Sequence, residues 1–154
     1  MSKIEVGKKA PQFTLEGTGG SWSLSDGAGS AVVLYFYPRD NTPGCTQEGE
    51  DFSAAYPQFK KAKTLIFGIS ADSLASHEKF KQKMAFPFEL LSDPDKKVCT
   101  LYGVIQEKSM YGRKFLGIER STFVIDAKGV LRHDWRKVKV KGHAAQVLAA
   151  VKAL

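Results

Sequence analysis

Residues Ala31 to Tyr37 read AVVLYFY, seven consecutive apolar or aromatic side chains of the types that favour strands. A run without polar alternation suits a strand covered on both faces, and such strands belong to sheets with helices on each side. The segments that follow narrow the fold further. After a Pro-Gly turn, Phe52, Ala55, Tyr56 and Phe59 recur at i, i+3, i+4 and i+7, which is one helical stripe. Thr64 to Ser70, TLIFGIS, is a second buried strand. Strand, helix and strand over this span make a right-handed βαβ unit with parallel strands.

The pattern continues with a helix from about Ser73 to Met84, a short strand near Phe88 to Leu91 and a helix from about Asp95 to Tyr102. Ser121 to Asp126, STFVID, and Val130 to Val140 flank the turn DAKG and read as an antiparallel hairpin. A final helix with Ala144, Val147, Leu148 and Val151 on one stripe covers the sheet. Near the start, Phe13 to Leu15 and Trp22 to Leu24 flank the glycine-rich GTGGS as a small extra hairpin. A length of 154 residues suits one compact domain, and no linker or repeat divides it. The expectation is a single α/β domain over residues 1–154 with a mixed central sheet flanked by helices.

Charge and cysteine content exclude several function classes. Lys plus Arg number 23 against 16 Asp plus Glu, a net charge of +7, with the excess densest in Arg132 to Lys141. There Lys137, Lys139 and Lys141 alternate with Val138 and Val140, which reads as the wet face of a lysine-protected edge strand. No aromatic-interleaved groove or DNA motif accompanies the charge, so no nucleic-acid partner is expected. No segment approaches the ~20 apolar residues of a membrane span, and the start lacks an apolar run of signal-peptide length. A cytoplasmic location with no membrane partner follows as the expectation. Cys45 and Cys99 are the two cysteines, and with three scattered histidines they make no metal-ligand spacing.

Cys45 lies where the first buried strand turns into the first helix. Ligand sites of open α/β sheets favour that carboxyl edge of the strands. The unpaired N–H groups and dipole of a helix N-terminus favour an anion there, so a thiolate is stabilised relative to the thiol. A nearby cation would add to this, and Arg120, directly before STFVID, is the candidate if its strand neighbours Ala31 to Tyr37. An ordinary surface arginine is the alternative. Thr42 can direct its hydroxyl into the same space, Pro43 fixes φ and lacks a donor, and Gly44 permits close approach to the backbone. The plainer alternatives are a cap at Thr42, a simple turn at Pro43-Gly44 and a buried inert thiol at Cys45.

Pro38-x-x-x-Thr42-x-x-Cys45 resembles the active-site motif of the peroxiredoxins. VGKKAPQFTL, LLSDPDKKV and IERSTFVIDAKGVLRH extend the resemblance over nearly the whole chain, and FYPRDNTPGCT is most similar to the bacterioferritin comigratory, or Q-type, group. The resemblance implies a thioredoxin-like fold with an N-terminal β-hairpin addition. It also implies reduction of hydrogen peroxide or organic hydroperoxides by thiols, without metal or organic cofactor. By position, Cys45 is then the peroxidatic cysteine, which becomes a sulfenic acid. Thr42 hydrogen-bonds thiolate and peroxide, Pro38 shields the sulfur, and Arg120 polarises both reactants. Backbone N–H groups at Gly44 and Cys45, next to Pro43, complete the cradle.

One departure from the group is visible. Many members carry a resolving cysteine five residues after the peroxidatic one, and here that residue is Glu50. A one-cysteine enzyme regenerated by glutathione, glutaredoxin, thioredoxin or another outside thiol is expected, as a monomer or weak dimer. Resolution by Cys99 is the alternative, although DKKVCTLYG reads as a helix that buries this thiol against the core. An intersubunit disulfide, a non-enzymatic redox sensor or holdase, and a disulfide oxidoreductase are the other readings. The last of these is weakened because threonine replaces the first cysteine of a Cys-x-x-Cys turn.

Overall fold

The computed structural model describes residues 4–154. In chain order, β1 (Thr14–Gly17) and β2 (Gly20–Ser23) lead through a short 3-10 turn to β3 (Ala31–Phe36), α1 (Pro43–Lys61) and β4 (Thr64–Ser70). Then come α2 (Leu74–Met84), β5 (Glu89–Ser92), α3 (Lys97–Leu101), β6 (Ile105–Met110) and β7 (Arg113–Ile118). The chain ends with β8 (Ser121–Ile125), β9 (Leu131–Trp135) and α4 (His143–Lys152). One seven-stranded sheet has the order β2-β1-β5-β4-β3-β8-β9, and β6 and β7 form a separate two-stranded ribbon. β3, β4 and β5 run parallel, whereas β1, β8 and β9 pair antiparallel to their neighbours. The sheet is therefore mixed, as a thioredoxin-like fold requires. The N-terminal hairpin extends this sheet through β5.

β3 divides the apolar interior in two. Because successive strand residues point to opposite faces, Val32, Leu34 and Phe36 enter one core with Phe13, Val98, Cys99 and Tyr102. Val33, Tyr35 and Tyr37 enter the other with Cys45, Phe52, Phe59, Phe80, Val147 and Val151. Thus α1, α2 and α4 cover one face of the sheet and α3 the other. The unbroken apolar run of β3 is explained by this double coverage. Among the described residues no helix is long and apolar enough to cross a membrane.

Three segments differ from expectation. The strand expected over Val130 to Val140 stops at Trp135, because Lys137 has a φ of +50°, a left-handed conformation that ends a ladder. Lys137, Lys139 and Lys141 therefore lie in the connection to α4, and the exposed edge strand is protected by Arg132, His133 and Asp134 instead. The helix expected from Asp95 to Tyr102 shortens to Lys97–Leu101, since Lys96 enters it at a φ of +58°. The β6–β7 hairpin had no counterpart in the expectation. Its Tyr111-Gly112 turn takes positive φ at both central residues, the geometry that closes a two-residue hairpin.

Candidate active site

The site assembles where β3 ends and α1 begins. Thr42 is the N-cap of α1, so Pro43, Gly44 and Cys45 fill its first three positions, and the N–H groups of Gly44 and Cys45 have no carbonyl partner within the helix. Proline is suited to this turn, as its missing donor costs no helical bond. Cys45 is only 1% exposed and rests on the core face that carries Tyr35, Tyr37 and Phe52.

Register places the cation. β8 pairs with β3 so that Ser121 faces Phe36, which brings the preceding residue, Arg120, to the strand end beside the helix. Its Nη2 donates to Cys45 Sγ across 3.4 Å, and its Nη1 donates to Glu48 Oε1 across 2.7 Å. Burial disfavours charge on Arg120, but Glu48 and Cys45 more than offset it and hold its pKa above the ordinary value. One guanidinium thus orients against both a sulfur and a carboxylate.

Glu48 is the functional candidate that sequence reading missed. It sits three residues after Cys45 and therefore on the same helix face, a spacing that was the available signal. Its side chain is 2% exposed, and Oε2 has no hydrogen-bond partner among the described residues. Burial pushes its carboxyl up to about 7, against the opposing pull of Arg120. Near neutrality the site therefore holds an ion pair on the point of gaining a proton.

Gly44 takes a more definite role than a turn residue. A methyl group there would lie 3.1 Å from Arg120 Nη2, so the guanidinium occupies the space that glycine leaves. Alanine is better than glycine for helix stability, which separates fold from chemistry. Gly44→Ala is expected to fold normally yet slow the oxidation of Cys45 by roughly 10- to 100-fold through a displaced Arg120. Stopped-flow oxidation at an unchanged rate would show that the position of the guanidinium does not matter.

Thr42 differs from its expected geometry. The Thr42 hydroxyl donates to the Arg39 carbonyl across 2.9 Å and makes no side-chain cap bond. Its proton is therefore committed to the turn and its oxygen is left as an acceptor, so it is not a donor to the thiolate in this conformation. Pro38 and Pro43 are exposed, whereas Cys45 is covered mainly by its own core cluster.

The loop between β3 and α1 is held by a buried polar cluster. The Asp40 carboxylate accepts from Tyr37 Oη at 2.6 Å and Ser76 Oγ at 2.7 Å, and lies 2.8 Å from His77 Nδ1. The Asp40 N–H donates to Asp72 Oδ2 across 2.8 Å. Burial acts to raise the Asp40 carboxyl, and the bonds to His77, Tyr37 and Ser76 outweigh it and hold it below the ordinary range. Asp40, Asp72 and His77 lie close enough to suggest a metal site, but protein donors already occupy these oxygens. The cluster pins the loop that presents Thr42.

Cys99 is distant from this chemistry. It is buried on the opposite face of the sheet, among Val98, Tyr102 and Phe36, and both cysteines are free thiols. Burial and the neighbouring Asp93 push its thiol well above the ordinary range. Glu50 lies exposed on α1.

Comparison with known proteins gives a consistent answer. The profile of the AhpC/TSA family matches residues 6–134. A putative peroxiredoxin bcp of Coxiella burnetii is 52% identical over 146 residues, covering 94% of this chain and 97% of that protein. Peroxiredoxin Bcp of Xanthomonas campestris is 55% identical over 126 residues, covering 82% and 79%. Among solved structures, one of the bacterioferritin comigratory protein of Xanthomonas campestris, described for its alkyl peroxide reduction activity, has a TM-score of 0.90 at 47% identity. It covers 97% of this chain and 98% of its own. A cysteine mutant of Xylella fastidiosa PrxQ gives 0.92 at 41% identity over 99% and 98%.

Proposed function

Because the chain belongs to the AhpC/TSA family and is a thiol-dependent peroxidase of its Bcp/peroxiredoxin Q branch, we propose that Cys45 is its peroxidatic cysteine and that an outside thiol restores it. The observation that carries this reading is the 3.4 Å contact of Arg120 with a cysteine in the first turn of α1. Substrates are hydrogen peroxide and organic hydroperoxides, in keeping with the alkyl peroxide reduction described for the Xanthomonas campestris relative.

The Cys45 thiolate attacks one peroxide oxygen, forming an S–O bond as the O–O bond breaks. Sulfur is oxidised by two electrons to the sulfenic acid, and the departing oxygen leaves as an alkoxide or hydroxide that takes a proton. Arg120 and the N–H groups of the first helical turn stabilise charge that grows on that oxygen, which lowers the barrier more than it favours the bound peroxide. The Thr42 oxygen accepts a hydrogen bond from the protonated peroxide oxygen and so orients it, and Pro43 and Gly44 form the floor beneath it. An outside thiol then attacks the sulfenic sulfur and expels water, giving a mixed disulfide. A second thiol releases Cys45 reduced.

Cys99 has no part in this cycle. It lies across the sheet from Cys45, and a disulfide needs Cα atoms within about 7 Å. Cys99→Ser is expected to keep peroxide turnover with glutathione or thioredoxin, and one equivalent of peroxide should add a single oxygen to the intact mass. Excess peroxide with little donor should add a second oxygen and inactivate the enzyme, since an unresolved sulfenic acid proceeds to sulfinic acid. Recovery of a Cys45–Cys99 disulfide peptide from the wild-type protein, or loss of turnover in Cys99→Ser, would overturn the one-cysteine assignment.

A further inference from the structure

We propose that the lysine-rich connection over residues 136–142 is the docking surface for an acidic protein that brings the donor thiol to oxidised Cys45; this rests on Cys45 being restored from outside its own chain. Lys137, Lys139 and Lys141 belong to the stretch in which the positive excess of the chain is densest. Protection of an edge strand does not account for them, because β9 ends at Trp135 and leaves all three beyond the ladder. They are exposed and alternate with half-buried Val138 and Val140. In the same stretch Arg132 and Arg136 pair with Asp126 and Asp134, whereas the three lysines form no ion pair or side-chain hydrogen bond among the described residues.

The connection is fixed beside Arg120. Thr122 faces Trp135 in register, and beyond the end of β9 the Val138 N–H donates to the Arg120 carbonyl across 3.0 Å. Arg136 Nη1 donates to the carbonyls of Tyr102 and Gly103 at 3.1 and 3.0 Å, and its guanidinium lies 4.9 Å from the centre of the Phe123 ring. At the other end the His143 N–H donates to the Val140 carbonyl across 3.1 Å, and buried His143 Nε2 bonds Thr122 Oγ1 at 2.8 Å. The lysines are thus carried on a segment held at both ends, whose Val138 stands one backbone hydrogen bond and one arginine side chain from the Cys45 sulfur. A protein that brings a thiol to Cys45 covers about 800 Å² around it, and the connection falls under that footprint.

Charge decides the occupant. From Trp135 to Gly142 the chain holds no acidic residue. Arg39, exposed on the loop whose carbonyl receives the Thr42 hydroxyl, adds a fourth cation to the rim of the site. Glu48 is spent in its ion pair with Arg120 and Glu119 is half-buried, so the exposed charge of this rim is positive. Three lysines spread along up to about 13 Å of chain match several carboxylates on a partner surface, where one small anion meets only one of them. Such complementarity acts on the encounter and leaves the attack of the thiol on the sulfenic sulfur unchanged.

The test oxidises the protein with one equivalent of peroxide and follows its reduction by an acidic thioredoxin, by glutathione and by neutral dithiothreitol. In the combined variant Lys137→Gln, Lys139→Gln, Lys141→Gln, the second-order rate constant for thioredoxin is expected to fall about tenfold at low salt and to lose most of its decline with added salt. The combined Lys→Arg variant at the same three positions should keep the parent rate. Dithiothreitol should reduce both variants as fast as the parent, and oxidation of Cys45 by hydrogen peroxide should not change. An unchanged thioredoxin rate in the glutamine variant, or a fall shared by dithiothreitol, would overturn the proposal. So would a glutathione rate that falls as far as the thioredoxin rate, which would mark a site for a small anion. Failure of the underlying reading appears elsewhere, as turnover surviving in Cys45→Ser or a Cys45–Cys99 disulfide in the parent protein.

Discussion

Replacing Cys45 by serine should abolish peroxide reduction, with a loss of at least about a thousandfold, on the order of 4 kcal/mol in transition-state stabilisation. A serine hydroxyl is a far weaker acid than a thiol, and among the described residues no histidine or carboxylate is hydrogen-bonded to Cys45 to act as its base. The fold should survive, because Arg120 and the first helical turn offer the hydroxyl hydrogen-bond partners. A stability change of about 1 kcal/mol or less is expected. The measurement is thiol-coupled peroxide consumption beside a thermal melt of the same sample. Turnover above a tenth of the parent value would end the assignment of Cys45 as the reacting group.

Arg120→Met carries the second large effect, because it acts on rate and stability together. Loss of a donor aimed at developing negative charge costs about 10²–10³-fold in rate. The same change strips Glu48 of the partner at 2.7 Å that offsets its burial. In the wild type the folded-state pKa of Glu48, about 7, stands above the ordinary carboxylate value. Its favourable contribution is thus present below the unfolded pKa and is lost as pH rises through 7. Without Arg120 the folded pKa climbs further, and that loss continues to higher pH.

Denaturant melts should accordingly find Arg120→Met destabilised by about 1 kcal/mol at pH 5 and roughly 3 kcal/mol at pH 8. Adding Glu48→Gln removes the stranded carboxylate, so the double variant should regain most of the stability at pH 8 and none of the rate. A stability difference independent of pH would show that the pair is not coupled through the Glu48 proton.

Much of this fold was legible because the burial of its segments is extreme. AVVLYFY and TLIFGIS are apolar throughout, and the stripes of α1 and α4 repeat at helical spacing, so the βαβ unit and the covering helix follow from pattern alone. The β6–β7 hairpin was not legible. Its Lys108, Arg113 and Lys114 interrupt any alternation, and Met110, Tyr111, Phe115 and Leu116 are exposed, so burial left little signature. The end of β9 depends on a left-handed backbone at Lys137, which residue type does not announce.

Within the site, Cys45, Thr42 and Arg120 could be singled out because a motif and a strand end bring them together. Glu48 resembles any other helical glutamate until the other side of its carboxylate is known to be Arg120. The direction of the Thr42 proton depends on the Arg39 carbonyl, a backbone detail that no side-chain pattern encodes.

The division of the interior by β3 makes survival of the enzyme a race against time. On the proposed assignment, the oxidised sulfur has no rescuer within its own chain, so its lifetime equals the mean wait for a donor thiol to arrive. Two bimolecular encounters then compete for the same atom, one with a donor and one with a second peroxide. The number of cycles a molecule completes before it is silenced scales with the ratio of donor to peroxide. An identical polypeptide is therefore durable in a thiol-rich solution and is spent after few turnovers in a thiol-poor one.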